Sequence, residues 1–124
     1  MSLEAGVLVN LDSEPLFWHL PEGRAVGSLP DSRDLWTIIW DHRDEVLGFA
    51  HSHPGSGVPV PSDEDLTTFA AVELALGKRL VWWVTSRDES VELFWSGPGK
   101  LSYGTVPVMY EPEWMSELRT LSRF

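Results

Sequence analysis

"HSHPGSGVPVPSDED", residues 51–65, sets two histidines two positions apart at the end of an apolar run, then a Pro/Gly-rich loop, then a serine among carboxylates. Alternate side chains of a strand share a face, so His51 and His53 can reach one cation from the strand end. Neutral imidazole is a preferred zinc ligand, and three protein ligands with a fourth position open to water is the arrangement of a hydrolytic site. The third ligand would come from Asp63, Glu64 or Asp65. With Ser62 as helix N-cap, Asp65 stands at N3, facing back toward the loop and the strand end, and is favoured. The helix dipole also keeps it ionised, as a ligand must be. Three prolines stiffen the intervening loop and two glycines permit sharp turns close to a ligand.

A plainer account covers each part. Ser62-x-x-Asp65 is a near relative of the capping box and needs no metal, and an isolated His-x-His pair arises by chance at solvated strand ends. The conjunction is stronger than its parts, because the paired histidines, the stiff loop and the helix start all point at one volume.

The elements around this stretch follow from periodicity. "GVLVNL" (6–11) reads as a buried strand with "PLFWHL" (15–20) as its hairpin partner. In "PDSRDLWTIIWDHRD" (30–44), Asp31 or Ser32 caps a helix whose Leu35, Ile38, Ile39 and His42 recur at helical spacing. "EVLGFAH" (45–51) is a second buried strand, and 62–77 is the clearest helix, with a stripe over positions 66, 69, 70, 73–74 and 76 and Gly77 as its stop. Strands at 79–86 and 90–96 form a hairpin, 101–110 reads as a last strand and 111–124 as a terminal amphipathic helix. The expected fold is α/β (α+β), a mixed sheet flanked by two to three helices in one domain over 1–124.

Nineteen acidic against nine basic residues leave a formal charge of −10, which repels nucleic acid and anionic membranes over most of the surface. The absence of cysteine excludes disulfides, thiolate metal sites and a cysteine nucleophile, so any metal must use His, Asp or Glu. No apolar run approaches membrane-spanning length, and "MSLEAG" has neither the basic start nor the apolar stretch of a signal peptide, so a cytoplasmic location is expected.

Gly48 and the run "GFAHSHPGSGVPVPSDEDL" resemble the signature of the JAMM, or MPN-type, zinc metalloprotease family: H-x-H-P, a short loop, then S-x-x-D. The resemblance covers about residues 4–110 and implies the MPN, cytidine-deaminase-like fold. It implies Zn2+ held by His51, His53 and Asp65, with Ser62 stabilising the tetrahedral intermediate. One departure is visible: eleven residues separate His53 from Asp65, one more than the family pattern, which places the extra residue in the loop. The family's general base is an upstream glutamate, and Glu4 in "LEAGVLVNL" resembles it, one residue short of the usual spacing and without the preceding helix. Glu14 and Glu22 are its rivals, and a frayed terminal carboxylate is the plain account of Glu4.

Together these imply a zinc-dependent hydrolase of peptide or isopeptide bonds, with an activated water as nucleophile, Glu4 moving its proton and Ser62 offsetting the oxyanion. The implied substrate is the C-terminal tail of a ubiquitin-like or sulfur-carrier protein, and a homodimer is compatible. The alternative is a catalytically silent MPN-like binding module, which loss of a well-held Glu4 would produce. Ser-His-Asp hydrolysis through Ser52 or Ser62 is disfavoured by the lack of a Gly-x-Ser-x-Gly elbow. His19 and His42 have no partner at ligand spacing and read as structural. Trp82 and Trp83 must face opposite sides of their strand, with core packing as the default.

Overall fold

In a computed structural model of the chain, which describes residues 1–99 and 102–124, nine elements follow one another. They are β1 (Gly6–Asn10), β2 (Pro15–His19), α1 (Arg33–Asp41), β3 (Val46–Ser52), α2 (Asp63–Leu76), β4 (Val81–Thr85), β5 (Ser90–Trp95), β6 (Tyr103–Pro107) and α3 (Glu113–Leu121). Each expected element is present and trimmed at one or both ends, except that β3 starts one residue later than expected and runs one further, to Ser52. Leu101, at the start of the expected last strand, lies outside the described residues.

The six strands form one mixed sheet in the order β2-β1-β3-β4-β5-β6, antiparallel except for β3 against β4. A parallel pair needs a crossover, and α2 supplies it. The helices cover both faces. Against one face, α1 contributes Leu35 and Ile39 and α2 contributes Leu66, Phe69 and Val72, packed on Leu8, Trp82 and Val84. Against the other, α3 sets Trp114, Met115 and Leu118 on Val7, Val9, Ala50 and Trp83. Trp82 and Trp83 therefore face opposite ways, as period two requires, and both are buried because both faces are covered.

One irregularity sets the direction of the histidines. Val9 pairs with Gly48 but Asn10 pairs with Val46, so Leu47 is an extra residue in β3. Such a bulge resets the strand's alternation. Beyond it, Phe49 packs on the α1/α2 side and Ala50 on the α3 side, which sends His51 toward α2 and Ser52 the other way. Gly48 pairs with Val81 of β4, and a Cβ there would lie 1.9 Å from the Val81 carbonyl oxygen.

The α2 stripe needs correction. The helix buries Leu66, Phe69, Val72 and Glu73, whereas Leu74 is 85% exposed. Glu73 is tolerated inside because its carboxylate is fully engaged. It accepts from Arg79 Nη1 at 2.8 Å and from the Leu80 amide and Trp82 Nε1 at 2.9 Å each. Ser62 and Gly77 bound the helix as expected, Gly77 in the left-handed region at φ +69°.

Candidate metal centre

β3 ends beside the start of α2, and the loop between them is pinned rather than slack. The Gly57 amide donates to Asp88 Oδ1 at 2.8 Å, the Arg87 amide to the Gly55 carbonyl at 2.8 Å, and Ser86 Oγ to the Gly57 carbonyl at 2.6 Å. The hairpin after β4 thus fixes the loop, and the His53 amide donates to the Thr85 carbonyl at 2.8 Å, extending the strand's pairing to the second histidine.

Three side chains converge there. His51 Nε2 and His53 Nε2 lie 2.9 Å apart, and each is 3.1 Å from Asp65 Oδ2. Two imidazole nitrogens and a carboxylate oxygen in one small triangle fit the donor set of a divalent ion. A tetrahedral shell with zinc's bond lengths has edges of about 3.3 Å, close to this triangle. Asp65 Oδ2 also accepts the Ser62 amide at 2.8 Å, while Ser62 Oγ accepts the Asp65 amide at 3.1 Å. The complete capping box is therefore present on the residue that faces the imidazoles.

Glu4 is not a frayed terminus. The Leu3 amide donates to the Ser122 carbonyl at 2.9 Å, the Glu4 amide to the Ala25 carbonyl at 2.8 Å, and the Ala5 amide to Ser52 Oγ at 2.9 Å. Its side chain is buried, and a carboxylate oxygen of Glu4 and one nitrogen from each of His51 and His53 all lie within 4.8 Å of one another. Two overlapping groups of donors thus exist, with Asp65 or Glu4 as the third. The Asp65 triangle is the tighter, with no edge above 3.1 Å. Glu14 and Glu22 are exposed and outside this group.

The electrostatics follow the packing. Burial raises the Glu4 pKa, and Asp65 adds to the rise, against the opposing pull of His51 and His53. Burial disfavours the charge on Asp65 too, but hydrogen bonds from His51 and His53, the His51 charge and the Ser62 amide hold it far below the carboxylate range. For His53, burial is outweighed by the Asp65 hydrogen bond and charge, the Glu4 charge and the Val60 backbone, so its pKa is raised.

An open cleft of about 450 Å³ exposes this chemistry, lined by Glu4, His53, Ser62, Glu64 and Asp65 and by Val26–Leu29. The segment between β2 and α1, which carries no periodicity in the sequence, thus forms a wall of the site. His19 Nε2 donates to the Pro30 carbonyl at 2.7 Å and anchors that segment. His42 is instead the C-cap of α1, 3.0 Å from Glu45 Oε2. Ser52 is fully buried on the opposite face, against Ala5 and Ser122, which removes it as a nucleophile beside the histidines.

No helix among the described residues is long and apolar enough to cross a membrane. A comparison with curated proteins finds no match. A family model described as prokaryotic homologs of the JAB domain matches residues 7–97, which takes in both histidines, Ser62 and Asp65 but begins after Glu4. With a mixed six-stranded sheet, three helices and this match over most of its length, the chain belongs to the family of prokaryotic homologs of the JAB domain.

Proposed function

We propose that this chain is a zinc-dependent hydrolase of peptide or isopeptide bonds, with His51, His53 and Asp65 holding the metal, Glu4 as general base and Ser62 as oxyanion donor. The observation that carries this reading is the triangle of two Nε2 atoms and one carboxylate oxygen with no edge above 3.1 Å, beside the buried Glu4 carboxylate. The JAB family includes metallo-isopeptidases, which supports an amide as the bond cleaved.

Bound zinc supplies a Lewis acid and brings the pKa of water down to about 7. The protein's own groups do the rest. Glu4, whose burial strengthens its hold on a proton, takes one from the attacking water and delivers it to the leaving amine. Ser62 Oγ accepts the Asp65 amide and so keeps its own O–H for the developing oxyanion. The substrate we propose is the C-terminal tail of a ubiquitin-like or sulfur-carrier protein, entering the open cleft as an extended segment. A silent binding module would follow from a loose Glu4, and the main-chain bonds of Leu3, Glu4 and Ala5 argue against that.

The test joins metal analysis to cleavage of a tail-conjugated ubiquitin-like protein, with and without chelator. Expected are about one zinc per chain, lost in His51→Ala, and cleavage that chelator abolishes. Metal-free protein that takes up no zinc would sink the hydrolase, and zinc uptake without cleavage of any conjugate would leave a binding module.

A further inference from the structure

The apolar core beneath α1 and α2 is not closed. A pocket of about 90 Å³ opens into it, walled by Leu35, Trp36, Phe49, Val72 and Trp82 among others, with His51 and Asp65 also on its lining. Asp65, Leu29 and Thr68 line both this pocket and the cleft that carries Glu4, His53 and Ser62. The two spaces meet at the ligand triangle, with His51 toward the pocket, His53 toward the cleft and Asp65 on both.

Ten of the fifteen lining residues are aliphatic or aromatic against five polar ones, His19, Asp31, His51, Asp65 and Thr68, so most of the wall offers an ordered water none of the two to four partners it needs. An apolar group is well served, because the wall atoms otherwise lack contacts on one side. Size narrows the choice. An apolar cavity of about 150 Å³ accepts benzene, so the present 90 Å³ favours a branched aliphatic group over an aromatic ring.

We infer that this pocket receives a small branched aliphatic side chain on the substrate residue that supplies the leaving amine, making Trp36, Phe49 and Val72 determinants of specificity. The inference rests on the metal-hydrolase reading. A substrate seated across the triangle would run its backbone along the cleft and drop one side chain beside His51.

Hydroxamic acids, which chelate zinc, test this by calorimetry on the zinc-loaded full chain. Isovalerohydroxamic acid, with an isobutyl arm, should bind roughly 50-fold tighter than acetohydroxamic acid, the gain for three added carbons buried. Val72→Phe fills the pocket and should erase that gain while leaving acetohydroxamate binding intact. Trp36→Ala enlarges the pocket, is an independent variant should Val72→Phe fail to fold, and should move the preference to a longer arm. If acetohydroxamate binds but the arm adds nothing, or its gain survives both variants, the pocket assignment is wrong while the metal site stands. An arm without effect together with a Val72→Phe change in sedimentation would mean a second copy fills the pocket, which also overturns it. If the chain takes up no zinc, the hydrolase reading and this one fall together.

Discussion

Replacing Asp65 with asparagine separates two jobs that its carboxylate is placed to do. Asparagine keeps an acceptor for the Ser62 amide, now 2.8 Å from Oδ2, and Ser62 Oγ still caps the amide of residue 65. The start of α2 should survive at a cost below about 1 kcal/mol. The change removes the negative charge 3.1 Å from both imidazoles. A hydrogen bond to a charged group contributes about 1.5–3 kcal/mol, and with Asp65 20% exposed the lower half of that range applies. For 124 residues, an unfolding entropy of about 2.1 cal/mol/K per residue converts each kcal/mol into about 4 °C. Metal-free Asp65→Asn should therefore melt about 6–9 °C below the parent near pH 6.

Zinc makes the contrast larger. At a hundredfold excess over Kd, a ligand specific for the native state adds about 2.7 kcal/mol, here about 10 °C, to the parent. The variant, with a neutral amide in the triangle, should lose most of that. The pH dependence has a definite sign. Asp65, depressed in the fold, stabilises above about pH 4 and loses its contribution as pH falls through its folded value; His53, raised, stabilises below about pH 6.5 and loses it as pH rises through its own. The metal-free parent should exceed the variant most between those limits, whereas the zinc shift, which needs a neutral His53, should grow as pH rises through the raised His53 value. Differential scanning calorimetry with zinc and with chelator reads both effects. An Asp65→Asn chain that kept the full zinc shift would refute the assignment and leave Glu4 as the third ligand.

Glu4→Gln should keep the zinc-induced rise in Tm and lower cleavage by about 10²–10⁴-fold, measured on one conjugate at saturating metal. Ser62→Ala should lower kcat by about 10²–10³-fold and, through the lost cap, Tm by about 4 °C, so a variant with normal turnover would remove the oxyanion role. Glu73→Ala, which strands the Leu80 amide and Trp82 Nε1, should destabilise by about 2–5 kcal/mol in urea melts and leave zinc affinity unchanged. Gly48→Ala places a methyl group 1.9 Å from a backbone oxygen, and soluble, cooperatively folding protein from that variant would contradict the strand spacing.

Periodicity carried the elements because each reports a face: Leu66 and Phe69 at helical spacing, Trp82 and Trp83 at period two. It misplaced the later part of the α2 stripe by taking in Leu74, which is exposed, and passing over Val72, which is buried, while Glu73, on the stripe, is buried through hydrogen bonding rather than hydrophobicity. Glu73 lies inside with three donors, one of them a tryptophan nine positions away, while Leu74 faces outward. The wall formed by Val26–Leu29 was equally illegible, since it depends on long-range bonds such as the Glu4 amide to the Ala25 carbonyl. Glu4 had the right chemistry in the sequence but no visible restraint. Partners at Ala25, Ser52 and Ser122 supply one, and those positions become neighbours only after β1 pairs with β3 and α3 closes the opposite face.

Asp65 shows why cap and ligand could not be told apart from spacing. The two readings compete only if one oxygen cannot serve both, yet Oδ2 accepts the Ser62 amide and faces both imidazoles. A cap turns the N3 carboxylate back toward the N-terminus of its helix. Where that end abuts a strand tip carrying two histidines on one face, the same rotamer completes a donor triangle. The cap then holds the carboxylate in place before any ion arrives, so the entropy of ordering that side chain is already spent in folding. The Ser62 amide holds the carboxylate and its hydroxyl caps the Asp65 amide, fixing the turn from which that carboxylate projects; under the proposed zinc site, Ser62→Ala keeps the first bond, loses the second and should weaken zinc binding even though the hydroxyl lies outside the triangle. Equal zinc affinity in Ser62→Ala and the parent, by competition with a fluorescent chelator, would show that the helix alone positions Asp65.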